Sequence, residues 1–299
     1  MHIELASSLG HLSNASKDSF PEISRRLVEV ADAIRMGRRV RPQVFRAYFL
    51  LVQALVAEDQ HHAETLLQKI EAAPDRSASL KLTYFGASEA DSLSLDLIDD
   101  GLRLAPITAT EAADFQMLLD EGLDLLRQNL SELYGELRSI VHEVLLARAP
   151  SGDKMQFDGA SHYQFWGLLM LNPKHHKTPL AIVEVLAHEA SHSLLFGMTI
   201  EEPLVLNPDE ELFTSPLRLD SRPMDGIYHA TYVSARMAWA MEMLASSGCL
   251  SDDDHERAMA MAAVDRSNYA KGLGVIDQHG DLSATGKTIL DDARAWIGH

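Results

Sequence analysis

Along most of the chain, apolar residues return every three to four positions, which predicts a mainly α protein with a minor β component. Between Pro21 and Val40 the stripe is Ile23, Leu27, Val30, Ala31 and Ile34, with Ser19 placed to cap it and Gly37 and Pro42 to interrupt it. Gln43 to Ala72 reads as a second helix or a broken pair. Its Val44, Phe45, Tyr48, Phe49, Leu51, Val52, Leu55 and Val56 are dense enough to require a partner helix. Thr108 and Glu111 have capping-box spacing, and a helical stripe from Phe115 to Val141 extends the prediction to about Arg148, with a kink at Gly122 or Gly135. Two stretches break the helical period. Leu80 to Phe85 alternates as a strand does, and Ser92 to Leu104, with a turn at Asp99-Asp100-Gly101, reads as a small hairpin.

After Ala149-Pro150-Ser151-Gly152-Asp153 the texture changes, so the sequence divides into a mostly helical part, 1–150, with a β excursion near 80–104, and a second part, 151–299, that carries the chemistry. Phe157 to Leu171 suggests a short strand pair or an extended wall, followed by a turn at Asn172-Pro173-Lys174. Pro179 opens an apolar helix that Gly197 is placed to end. Glu201 to Asp220 reads as a long loop, a cover or wall for a site. Helices are expected over Met224–Ser247, about Asp254–Gly272 and Ala284–Ile297.

Composition narrows the function classes. The 299 residues carry a formal charge of −18, which disfavours nucleic acid and suits a basic or neutral peptide. The single cysteine, Cys249, excludes an internal disulfide and any cysteine-rich zinc site. No apolar run reaches the ~18 residues a membrane span needs, and Met1 to Asn14 lacks signal-peptide character, so the cytoplasm is the expected compartment. Nothing selects an oligomeric state.

The sharpest chemical signal is Leu186-Ala187-His188-Glu189-Ala190-Ser191-His192, an HExxH pattern inside an apolar helical run. Positions four apart share a helix face, so His188 and His192 offer two imidazoles to one divalent ion, with Glu189 beside them. Buried histidines need polar partners, which favours ligation. The longer HExxHxxGxxH pattern fails, because Leu195 and Met198 occupy its last two fixed positions. For a third ligand, His229 is favoured by its apolar neighbours Ile227, Tyr228, Tyr232 and Val233, and Glu242, the one acid inside its helix, is the alternative. Three histidines suit zinc or ferrous iron. Arg222 and Arg236 flank His229 and are candidates to clamp an anionic co-substrate, or to pair with Asp209-Glu210-Glu211 and Glu242 respectively.

Two blocks, Ala187–His192 and Arg222-Pro223-Met224-Asp225-Gly226-Ile227-Tyr228-His229-Ala230 with Ala235-Arg236, resemble a bacterial family of HExxH-motif peptide-modification proteins, most clearly over 155–245. The resemblance implies a 2-oxoglutarate-dependent iron oxygenase that β-hydroxylates a residue of a ribosomally synthesised precursor peptide. It implies Fe(II) on His188, His192 and His229, with 2-oxoglutarate and O2 completing the coordination. Glu189 would handle protons, and Arg222 or Arg236 would bind the distal carboxylate. Two other readings stand beside it. One is a zinc metallopeptidase with Glu189 as general base; the other is a non-catalytic helical protein that binds a peptide.

Overall fold

The computed structural model describes residues 1–87, 104–152, 157–215 and 220–298. The mainly α class with minor β holds among them, and they form two compact units. The first comprises Met1–Ala109, Val141–Phe157 and Ser161–Leu171; the second comprises Thr110–Ile140, Asp158–Ala160 and Asn172–His299. The hairpin expected at Ser92–Leu104 lies, except for Leu104, outside the described residues.

The first unit opens with four helices: α1 (His2–Ser16), α2 (Pro21–Arg35), α3 (Pro42–Val56) and α4 (Gln60–Ala72). The sequence pattern did not predict α1, because two of its five buried positions, Ser13 and Ser16, are polar and break the apolar stripe. Ser13 and Ser24 instead join α1 to α2 by hydrogen bonds of 2.9–3.0 Å. The segment Gln43–Ala72 resolves into a broken pair. Glu58 adopts a left-handed φ of 57°, and Asp59 caps α4 by accepting from the His62 amide at 3.0 Å.

The sheet has the order β1-β2-β4-β3, where β1 is Lys81–Tyr84, β2 Glu143–Leu146, β3 Gly159–Ser161 and β4 Leu168–Leu171. β2 pairs in parallel with β1 and with β4. Every residue of β2 and β4 is buried, so neither alternates; a short continuous apolar run is ambiguous between helix and buried strand, and the helix expected to about Arg148 is corrected to a strand over β2. The strand pair expected within 157–171 is present as β3 beside β4, and β4 also pairs on its other side with β2, a segment further upstream. Glu143, 2% exposed, is held by a fork from Arg41 (2.6 and 2.9 Å) and by Gln43 (3.0 Å), so its buried charge is matched and bonded.

In the second unit, α5 (Ala109–Asn129) and α6 (Ser131–Ile140) replace the single long helix. The break falls at Leu130. Gly122 lies unbroken within α5, where a Cβ would come within 2.5 Å of Ile182 Cγ2, so glycine there permits close approach. α7 (Pro179–Met198), which carries the HExxH residues, packs on α8 (Met224–Ser246), which carries His229. Thr178 caps α7 by accepting from the Ala181 amide, and the helix runs through Gly197 to Met198. α8 is buried along most of its length between α7, α9 (Asp252–His279) and α10 (Ala284–Ile297). α8 and α9 touch where Gly272 meets Thr231, and Tyr228 donates to the Gly286 carbonyl at 2.9 Å. The long loop carries regular pairing: β5 (Leu212–Thr214) pairs antiparallel with β6 (Ser221–Pro223), and Val205 bridges Leu282. No helix among the described residues is long and apolar enough to cross a membrane.

Candidate functional site

The α7–α8 packing brings three imidazoles together. His188 and His192, one turn apart, set Nε2 against Nε2 at 3.2 Å. His192 and His229 stack at 16° with ring centroids 5.3 Å apart and set Nδ1 against Nδ1 at 3.0 Å. His188 Nδ1 lies 3.1 Å from Met237 Sδ. One set of neutral tautomers satisfies this ladder: His188 Nδ1–H donates to the sulfur, His192 Nε2–H to His188, and His229 Nδ1–H to His192. His229 is 7% exposed, and burial lowers its pKa against the opposing pull of Asp225, whose carboxylate is 4.0 Å from Nε2.

This geometry corrects the metal expectation. Among the described residues, no group of three or more His, Cys, Asp or Glu is placed to hold a metal ion. The physical reason lies in His192, which turns Nε2 to one neighbour and Nδ1 to the other. Those nitrogens point away from each other across the ring, so these contacts do not converge one nitrogen from each histidine on a common point at the ~2.0–2.1 Å an ion requires. The helical metalloenzyme arrangement, Fe(II), 2-oxoglutarate and O2 as cofactors, the peptide hydroxylase activity and the zinc peptidase alternative are overturned with it. So is the resemblance to the HExxH peptide-modification family that implied most of them.

The remaining predicted residues are placed as follows. Glu189 is 3% exposed, with Oε1 3.9 Å from His188 Nε2. Its carboxyl packs on Gly159, where a Cβ would sit 2.6 Å from Oε1. Arg222, on β6, pairs with Asp220 at 3.2 Å and not with Asp209–Glu211. Arg236, 8% exposed, pairs with Glu136 and donates to Ser191 Oγ at 3.3 Å, while Trp239 and Trp296 take its face at 5.7 and 5.6 Å. Burial pushes the Glu136 carboxyl up, and Arg236 opposes that. Glu242 is neither a metal ligand nor the partner of Arg236; Arg266 holds both its oxygens.

No family model matches this chain, and no curated protein matches it. Two features that the sequence pattern does not reveal bear on function. The first is a carboxyl pair. Burial pushes Glu184, one turn before His188, up to about 7; burial and then Glu184 push Asp265 of α9 up to about 8. An acid amid Ile182, Val183 and Val185 was the available signal. The second is an open cavity of about 370 Å³. One face of α5 (Glu121, Asp124, Leu125, Gln128), the start of α7 (Thr178, Pro179, Leu180) and the α8–α9 turn (Cys249, Leu250, Ser251, Asp254) line it. Its three carboxylates come from segments about 130 residues apart, which no local pattern reveals.

Proposed function

We propose that this protein binds a peptide without turning it over, and that the α5–α7–α9 cavity receives a basic side chain of that peptide. The observation that carries this reading is the cavity lining: Glu121, Asp124 and Asp254 supply negative charge, Leu125, Leu180, Leu250 and Pro179 supply apolar wall, and among the described residues no lysine or arginine lines it. Lysine and arginine have that dual character, an aliphatic stem ending in a cation. About 370 Å³ is within the range of pockets that take small ligands or single anchoring side chains. Asp124 and Asp254 also hold Arg127 and Arg257 at 2.9 and 3.0 Å, but such exposed pairs contribute little and exchange readily. The overall charge of −18 favours encounter with a cationic segment.

The test is fluorescence anisotropy with a labelled lysine-containing peptide and its Nε-acetylated counterpart. The expected result is binding that weakens with salt, is lost on acetylation and falls about tenfold or more in Glu121→Gln/Asp124→Asn, with the peptide recovered at unchanged mass. Equal affinity for the two peptides, or a change of mass, would sink the proposal.

A further inference from the structure

The outward face of α9 carries no charge along its middle. Between Arg257 and Lys271 the exposed residues are Met259, Ala260, Ala263, Val264, Ser267 and Ala270, and none of them ionises. Met259 is 45% exposed and Val264 60%. At about 100° per residue, Ala260, Ala263, Val264 and Ser267 fall in one sector of the helix, opposite the buried Ala258, Ala262, Asp265, Tyr269 and Gly272. A helix at the surface of a soluble protein ordinarily covers that sector with charged and polar side chains, and a chain with 44 acidic residues has them to spare.

The charges that frame this face are opposite in sign and evenly placed. Glu256 lies seven residues before Ala263, and Lys271 lies seven residues after Val264. Both are exposed, and neither makes an ion pair among the described residues, whereas nearby Arg257 is held by Asp254 and Asp277 by Arg294. Gly274 continues the same face one turn on. Glycine weakens a helix relative to alanine, and here nothing in the chain requires it: a Cβ at Gly274 would meet no atom within 4 Å, unlike the one at Gly272.

We propose that this face docks on the same face of a second copy of the chain, the two α9 helices running antiparallel about a two-fold axis between Ala263 and Val264. A two-fold contact uses one surface twice, so the surface must complement itself. This one does so in both charge and shape. The axis sets Glu256 against the partner's Lys271 and Lys271 against the partner's Glu256, one ion pair at each end of an apolar centre. Between them Ala260 meets the partner's Ser267, and Ala263 the partner's Val264, side chains small enough for the helices to approach closely. Gly274 meets the first turn of the partner's α9, where the missing side chain leaves room. A parallel pairing would set like charges together at both ends, so charge selects the direction. The contact runs along about 30 Å of helix. One helix pair of that length buries less than the roughly 1,200–2,000 Å² of a standard interface, which places the dimer in the micromolar range.

Sedimentation equilibrium of the full chain from about 1 to 200 µM tests the proposal. The expected result is a rise from the mass of one chain to twice that mass, shifted to higher concentration by salt. Lys271→Glu and Glu256→Lys each replace two attractions by two repulsions and are expected to weaken the dimer about tenfold or more, while the double variant Glu256→Lys/Lys271→Glu restores it. Val264→Glu, which sets like charges beside the axis, is expected to leave the chain single at every concentration. All four substitutions lie on the exposed face, and an unchanged circular dichroism spectrum checks that each variant folds. A wild-type chain that stays single throughout overturns the proposal and leaves the face to an unlike partner. A dimer that survives Val264→Glu, or one that either charge reversal leaves unchanged or the swap fails to restore, overturns it as well.

Discussion

The contact between Gly272 and Thr231 makes a quantitative prediction about how α8 and α9 are held. A Cβ built on Gly272 would lie 2.1 Å from Thr231 Oγ1, 3.1 Å from its Cβ and 3.4 Å from its Cγ2. Thr231 is fully buried, and its hydroxyl donates to the Ile227 carbonyl at 2.7 Å, so it has no space to yield into. Gly272→Ala therefore sets two effects against each other. Helix propensity favours alanine by about 1 kcal/mol. Overpacking a dense interface costs about 1–3 kcal/mol, and a carbon more than 1 Å inside contact distance belongs at the upper end. The expected net loss is about 2 kcal/mol, or roughly 4–8 °C in Tm for a body of this size. Thr231→Ala removes the nearest atom, leaving a contact at 3.1 Å that small adjustments absorb. In that background the same glycine substitution is expected to be neutral or stabilising by up to about 1 kcal/mol, a coupling of about 2–3 kcal/mol. Urea denaturation followed by circular dichroism measures all four proteins. Equal effects of Gly272→Ala in the two backgrounds would refute the claim that helix approach at this point sets the cost.

Metal content is the second check. The purified protein is expected to carry well under one transition-metal ion per chain, and a chelator to leave its Tm unchanged; a stoichiometric ion released with loss of stability would reverse the correction made on the histidine cluster. In the first unit, Arg41→Ala strands the Glu143 carboxylate, which is expected to cost about 3–5 kcal/mol by urea titration. Arg41→Met/Glu143→Leu is expected to recover most of it, and a double variant as unstable as the single one would show that the loss came from packing alone.

The sequence made the large pieces legible because each rests on a local period. The HExxH spacing put His188 and His192 on one face of α7, and the apolar neighbours of His229 implied the burial it has. What escaped depends on contacts distant in sequence. Ring orientation decides between an ion site and a chain of imidazoles, and orientation is set by packing against Met237 and Phe196, not by spacing. Arg236 finds Glu136, 100 residues upstream, where the local acid Glu242 was the natural guess. β2 is distinguished from helix only by β1 and β4 on either side of it.

The division of the chain into interleaved units has a consequence for biosynthesis. A ribosome that has released β1 must still make α5 and α6 before β2 and β4 emerge, although those two helices belong to the other unit. The first unit can complete its sheet once Leu171 is clear of the exit tunnel. The apolar faces of α5 and α6, with Phe115, Leu119, Leu126, Leu133 and Leu137, then wait for α7 through α10, on the order of ten seconds or more at ordinary elongation rates. During that interval they are unpartnered apolar surface on the nascent chain. Slowing translation past Leu171 should therefore increase aggregation, and a chaperone that shields helices α5 and α6 should restore the yield.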